Sequence, residues 1–261
     1  MSDFVIPKKS LGQHWLHDVP SLTAMADGVM ACKGDFVLEV GPGLGTLTEV
    51  LLARGAKVTA VEFDHDLAVG LPRRVRHENL QVVEQDILSF DFTKLPSGYK
   101  VAANIPYYLT SNLLRVMCES NSPFSQAALL IQKEVAERVC SKPGDMSLLS
   151  VSVQFYCEAR LGILVPAELF TPPPKVDSQI LLLQYRERPL FADVDTKQFF
   201  RLVKAGFSQR RKKLRSSLSA GLAISKPDTE ALLAKAGLDP NLRAQNLSLE
   251  DWHVLYLAHK T

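Results

Sequence analysis

Cysteine is scarce: four residues in a chain of 261, at Cys32, Cys118, Cys140 and Cys157, with no Cys-x-x-Cys pair. Such scatter argues against a disulfide framework or a metal cluster and reads as small core residues of a reduced intracellular protein. Six histidines include no His-x-x-x-His pair, which argues against a catalytic zinc, so no metal is expected. No apolar run is long enough to span a membrane, and Met1 to Lys9 hold no apolar core of signal-peptide length. A soluble, cytoplasmic protein with no membrane partner is therefore expected. Internal repeats and low-complexity tracts are missing too. Nor is there a bulk charge: 30 basic residues against 28 acidic ones leave a formal +2, so any nucleic-acid surface must come from local clustering. The 46% hydrophobic content suffices for one sizeable core and a small appendage.

What is present begins with residues 8–18, KKSLGQHWLHD, a segment that can fold over a ligand or fray as a terminus. After a helical pattern opening at Pro20-Ser21, Asp35 to Val40 reads as a buried strand running into Gly41-Pro42-Gly43-Leu44-Gly45 and then a helix. Strand, glycine turn, helix is the opening of a nucleotide-binding βαβ unit. The third glycine comes one residue early for the dinucleotide fingerprint, and no Gly-Lys-Ser/Thr ending marks a phosphate loop. The turn thus favours a small cofactor lying against bare backbone, the arrangement used for S-adenosylmethionine. A second strand, Lys57 to Val61, ends in Glu62, placed to accept from both hydroxyls of a ribose. Asp64 caps a helix that Pro72 is expected to shorten or kink. A third strand, Leu80 to Glu84, leads to Asp86, a candidate acceptor for an adenine amine, with Ile87 and Leu88 beside the ring.

The fourth strand ends at Asn104-Ile105-Pro106-Tyr107. The exocyclic amine of adenine is a poor nucleophile because its lone pair is delocalised into the ring. The side-chain oxygen of Asn104 can accept one amine hydrogen, and a backbone carbonyl fixed by Pro106 the other, drawing the nitrogen towards a pyramidal geometry. Tyr107 offers a face for stacking, worth roughly 1–3 kcal/mol per base. Gly41, Glu62, Asp86 and Asn104 are thereby expected on one rim of a sheet. Further strands are predicted at Ala127 to Ile131, Ala159 to Val165 and Gln179 to Tyr185, with helices at Lys133 to Val139 and after Ser147. Between the last two strands, Phe170-Thr-Pro-Pro-Pro-Lys175 makes a stiff loop, since a triple proline fits neither a helix nor a central strand. Phe170 is a candidate for the opposite face of a flipped base and Lys175 for a phosphate; the alternative is a rigid connector with Phe170 in the core.

From Arg188-Pro189 onward the pattern is helical, at 195–206, 208–219, 228–236 and 248–258. The expected domains are therefore 1–188 and a smaller helical 189–261. The second carries Gln209-Arg210-Arg211-Lys212-Lys213-Leu214-Arg215, whose cations wrap around any helix and form a candidate phosphate-contacting patch at Arg210, Arg211, Lys212, Lys213 and Arg215.

The stretches LGQHWL, EVGPGLGTLT, VEFD, QDIL, NIPYYLTS and FTPPPKVDS together resemble the ribosomal RNA adenine dimethyltransferase family, and FSQRRKKLRSSL with LRAQNLS resembles its bacterial small-subunit (16S) branch. The likeness covers nearly the whole chain. It implies an α/β fold of the Rossmann-like class I methyltransferase kind, a seven-stranded, mostly parallel sheet with a small all-helical C-terminal domain. It also implies S-adenosylmethionine as cofactor and dimethylation of two adjacent adenosines in the 3′-terminal hairpin of 16S rRNA, within an immature small subunit, by an expected monomer. The resemblance carries cofactor contacts onto His14, Leu16, Gly41, Glu62, Asp86 and Asn104, and target-base contacts onto Asn104, Tyr107 and Phe170. One departure is His14-Trp15, where the family usually has Asn-Phe; its effect depends on whether position 14 acts through backbone or side chain. Alternatives kept open are the antibiotic-resistance branch acting on large-subunit RNA, a DNA adenine methyltransferase, and a non-catalytic ribosome-assembly factor.

Overall fold

A computed structural model describes residues 7, 8 and 11–260. Most of Met1 to Lys9, and Lys9-Ser10 of the predicted N-terminal segment, lie outside the described residues. The chain divides into two compact units: residues up to Ala136 with Cys157–Tyr185, and Glu137–Tyr156 with the residues from Arg186 on.

The first unit is built on nine strands. They are β1 (Trp15–Leu16), β2 (Phe36–Val40), β3 (Lys57–Glu62), β4 (Leu80–Glu84), β5 (Lys100–Asn104), β6 (Gln126–Gln132), β7 (Cys157–Val165), β8 (Phe170–Thr171) and β9 (Ser178–Tyr185). Seven of them form one sheet in the order β4-β3-β2-β5-β6-β9-β7. The first four neighbour pairs are parallel, whereas β9 runs antiparallel to both β6 and β7. The α/β fold predicted from the sequence is therefore present, with all seven expected strands. Strands such as VAA and ALLI are buried on both faces, which is why they read as continuous apolar runs, not as alternations.

Between the strands run α1 (Val19–Gly28), α2 (Thr46–Ala53), α3 (His65–Arg74), α4 (Thr110–Cys118) and α5 (Lys133–Val139). Asp64 caps α3 by accepting from the amide of Asp66, and Pro72 sits in the last turn, two residues before the helix stops. Met25, Leu51, Leu71, Ala102 and Leu130 belong to one buried cluster that welds α1, α2 and α3 to the sheet. Only Cys118 and Cys157 are fully buried, with sulfurs 3.9 Å apart; Cys32 is exposed, so it is not the core residue its sequence context implies.

The second unit is all helical: α6 (Leu148–Tyr156), α7 (Thr196–Phe207), α8 (Leu214–Leu222), α9 (Lys226–Lys235) and α10 (Leu249–Lys260). Two features differ from the sequence reading. Residues 137–156, expected within 1–188, belong here: Val151 and Phe155 pack into a core with Phe199, Phe200, Leu218, Trp252 and Tyr256. The helix expected over 208–219 starts only at Leu214, so Arg210 to Lys213 occupy an exposed turn and do not wrap a helix.

Candidate functional site

The register of the sheet sets the site. Val40 pairs with Val61 and with Ala103, and Glu62 with Glu84. The residues just beyond these positions therefore emerge together at the carboxyl ends of four parallel strands. Gly41, Glu62, Asp86 and Asn104 indeed border a single cavity of about 310 Å³, with His14, Leu16, Tyr107 and Phe170 on its other walls. That volume lies at the lower end of small-molecule pockets, roughly 300–1,000 Å³. Lys175 is exposed and does not border the cavity. Arg210, Arg211, Lys212, Lys213 and Arg215 belong to the second unit.

The glycine turn forms the floor. Gly43 has φ +58°, and a methyl group there would meet the Trp15 ring at 3.4 Å, so the indole lies directly against bare backbone. Gly45 starts α2 with φ +92°, and a Cβ at that position would stand 2.7 Å from Leu71 and Val75. The offset of the third glycine is thus a packing requirement between α2 and α3. From the α3 side, Arg74 donates to the carbonyls of Gly43 at 3.1 Å, Leu44 at 3.4 Å and Leu67 at 3.2 Å, propping the turn.

Glu62 is buried, 6% exposed. One carboxylate oxygen accepts from the Gly43 amide at 3.2 Å, the other from the Asp64 amide at 2.9 Å. Burial pushes its carboxyl above the usual range, although these amides pull it back. A carboxylate offers about four acceptor sites, so with the amides of Gly43, Asp64 and Phe63 turned towards it capacity remains for a hydroxyl. Asp86 uses one oxygen to cap a short turn at the Leu88 amide, 2.9 Å away, and keeps the other exposed. Below them lies Glu39, 1% exposed, which the sequence reading missed. Burial lifts its carboxyl to about 8; Thr48 is its polar neighbour and Glu62 a like charge nearby. Neither Glu39 Oε2 nor Thr48 Oγ1 completes a hydrogen bond.

An N-terminal strap closes one side. The Lys8 ammonium bridges Asp64 and Asp66, both at 2.8 Å, while the Gln13 amide donates to Asp64 at 3.1 Å. Burial alone would raise Asp64, but these donors hold it below the usual carboxylate range. Thr46 then donates to the Leu16 carbonyl at 2.9 Å, and β1 pairs antiparallel with β8 through Trp15–Thr171 and Leu16–Phe170. Two residues are too few for a periodic signal, so this small sheet was illegible in sequence.

His14 acts through both backbone and side chain. Its carbonyl accepts from the Asn104 amide nitrogen at 2.9 Å; its Nδ1–H donates to the Pro172 carbonyl at 2.7 Å; its ring stacks on Tyr107 with centroids 6.1 Å apart. The departure at position 14 is therefore not silent. With its amino group tied to the strap, Asn104 keeps Oδ1 as a fixed acceptor. Ile105 is anchored through its amide to the Leu130 carbonyl at 3.1 Å, which holds the carbonyl preceding Pro106. Tyr107 is half-buried and bonds Ser178 through its hydroxyl at 2.8 Å. Phe170 is 3% exposed and belongs to the core cluster while also walling the cavity, so both sequence readings of it describe part of its placement.

These walls fit S-adenosylmethionine: bare glycine backbone on the floor, a buried carboxylate with acceptor capacity left, a second acid beside Ile87 and Leu88, and an uncompleted buried indole N–H at Trp15.

Known proteins give the same picture. Residues 7–260 match the family model described as ribosomal RNA adenine dimethylase. A protein of Dehalococcoides mccartyi named ribosomal RNA small subunit methyltransferase A is 39% identical, covering 97% of this chain and 88% of its own length. The namesake of Moorella thermoacetica is 37% identical over 95% and 91%. Among solved structures, a dimethyladenosine transferase from Plasmodium falciparum superposes with TM-score 0.82 at 26% identity, covering 95% and 98%. The 23S rRNA methyltransferase ErmE gives 0.75 at 28% identity, covering 95% and 100%.

Proposed function

The chain belongs to the ribosomal RNA adenine dimethylase family, and from that premise we propose how its site works. The protein is an S-adenosylmethionine-dependent rRNA adenine N6,N6-dimethyltransferase, acting on two adjacent adenosines of the 3′-terminal hairpin of 16S rRNA during ribosome biogenesis. It works as a cytoplasmic monomer on the immature small subunit. The sheet unit performs the chemistry, and the helical unit recognises the RNA. The relatives named for small-subunit rRNA support the substrate.

S-adenosylmethionine supplies an electrophilic methyl carbon on a sulfonium. Glu62, Asp86 and the glycine turn hold and orient that donor. Tyr107 and Phe170 flank the purine, while Asn104 Oδ1 and the Ile105 carbonyl accept the two amine hydrogens and aim the lone pair outward. No strong base is required at the start, because the amine becomes acidic as the new bond forms and releases its proton late, to solvent. Catalysis is then positioning, concentrated in bonds that strengthen as the nitrogen pyramidalises.

The observation that carries this reading is the tethered amide of Asn104, whose amino group donates to the His14 carbonyl and so fixes where Oδ1 points. Replacing Asn104 by Ala is expected to abolish most turnover while S-adenosylmethionine binds within about tenfold of wild type, roughly 1.4 kcal/mol. The assay is tritium transfer into immature small subunits that lack the modification, followed by mapping of the modified bases. Wild-type turnover in that variant defeats the role of Asn104. Label in large-subunit RNA or DNA, or in none, defeats the substrate.

A further inference from the structure

The helical unit carries a second cationic feature, separate from the turn at Arg210 to Lys213. Helix α7 turns Phe199, Phe200, Leu202 and Val203 into the core. Its exposed face presents Lys197, Arg201 and Lys204, at i, i+4 and i+7, in a single stripe. Seven residues at roughly 1.5 Å each place these cations along about 10 Å of helix. They border a shallow, open groove with Ala205, Ser208 and Gly221. Its floor is nearly bare: a Cβ on Gly221 would lie 2.6 Å from that of Ala205, so α7 and α8 meet backbone to backbone.

Like charges at this spacing repel, and a helix ordinarily relieves them with acids one turn away. Here α7 contains no acidic residue. The acids close by in sequence are engaged elsewhere: Asp195 caps the Gln198 amide, and Asp193 bonds His253. Among the described residues, Lys197, Arg201 and Lys204 make no ion pair, whereas Arg215 of α8 is held by Glu230 at 2.8 Å. A groove with cationic walls, a small-residue floor and no internal counter-charge is complementary to a continuous polyanion.

We propose that the α7–α8 groove seats the sugar–phosphate backbone of structured RNA, as a contact additional to the turn at Arg210 to Lys213. The inference rests on the reading that this chain acts on ribosomal RNA. Recognition here is of charge and backbone shape, not of base sequence, because lysine and arginine on phosphates fix position without reading bases.

The test uses the full chain carrying Lys197→Gln, Arg201→Gln and Lys204→Gln together, with protein-free 16S rRNA as probe. Binding is measured across a salt series. The expected result is a loss of at least tenfold in affinity at low salt, and a log–log salt slope shallower by about 0.7–0.9 for each phosphate contact removed. The charge-keeping set Lys197→Arg, Arg201→Lys and Lys204→Arg restores both, and the near-ultraviolet circular dichroism and thermal unfolding of the helical unit's aromatic core, Phe199, Phe200, Trp252 and Tyr256, are unchanged in either variant, which excludes misfolding as the cause. An unaltered salt slope overturns the groove. A loss seen with intact subunits but not with protein-free RNA also overturns it, assigning the groove to an acidic ribosomal protein. If wild type methylates rRNA while the slope is unaltered, the groove alone fails; if wild type methylates no rRNA, the functional reading fails.

Discussion

Glu39 lies beneath the cofactor cavity with its carboxyl lifted by burial from an ordinary 4.5 to about 8. The folded chain therefore keeps a proton that the unfolded chain releases. Stability falls with pH wherever the folded state binds more protons, so this carboxyl contributes most below 4.5 and its contribution is lost as pH rises towards 8. Between about pH 6 and about pH 7.5 the slope falls from nearly one proton to roughly three quarters of one. At about 1.4 kcal/mol per pH unit, that interval removes about 2 kcal/mol from the wild type. For a unit of this size the loss lowers Tm by about 4–8 °C. Glu39→Gln keeps the shape and removes the proton, so this part of the pH dependence disappears. Calorimetry of both ligand-free proteins at the two pH values reads the difference directly, since every other titrating group is shared. The variant gains on the wild type as pH rises, and the gap is smallest in acid. Parallel Tm changes in the two proteins, or a wild type that gains on the variant with rising pH, refute the assignment of Glu39 as a buried neutral acid.

Gly45→Ala forces a methyl group to 2.7 Å from Leu71 and Val75 at φ +92°, and is expected to cost about 1–3 kcal/mol in urea denaturation; a cost near zero would mean that α2 and α3 separate freely. Lys8→Ala removes the clasp on Asp64 and Asp66, so S-adenosylmethionine should bind a few-fold more weakly, and added salt should bring wild type towards the variant. Equal affinities at low salt would show that the strap closes without that clasp. Replacing Arg210, Arg211, Lys212 and Lys213 by Gln should weaken subunit binding and flatten its salt dependence by about 0.7–0.9 per phosphate released; an unchanged slope puts the RNA surface elsewhere.

The central strands and the four rim residues were readable in sequence because strands buried on both faces, such as β5 and β6, leave unbroken apolar runs, and each rim strand leads to a polar or glycine residue with a chemical use. Other parts left no such trace. Glu39 reads as one more strand residue, since nothing local announces that its carboxyl points to the interior. Arg74 follows a helix-breaking Pro72, yet props the glycine turn through contacts some 30 positions distant. The strap was one of two readings of residues 8–18, and bonds between positions far apart, such as His14 with Pro172, decide between them. The charge run from Arg210 to Lys213 gave the right composition and the wrong geometry, because helix-forming residues there occupy a turn whose boundary is set by burial of Leu214.

The excursion of residues 137–156 bears on how the polypeptide matures. Phe155 and Val151 emerge from the ribosome well before Phe199, Trp252 and Tyr256, the side chains that cover them. Until α7 is synthesised, that greasy surface lacks its ring neighbours Phe199 and Phe200, and β7 and β9 come before them in the order of synthesis. A nascent chain halted near residue 188 would thus hold all the strands of its sheet and still expose an uncovered apolar helix, making it a client for chaperones and not a free-standing enzyme.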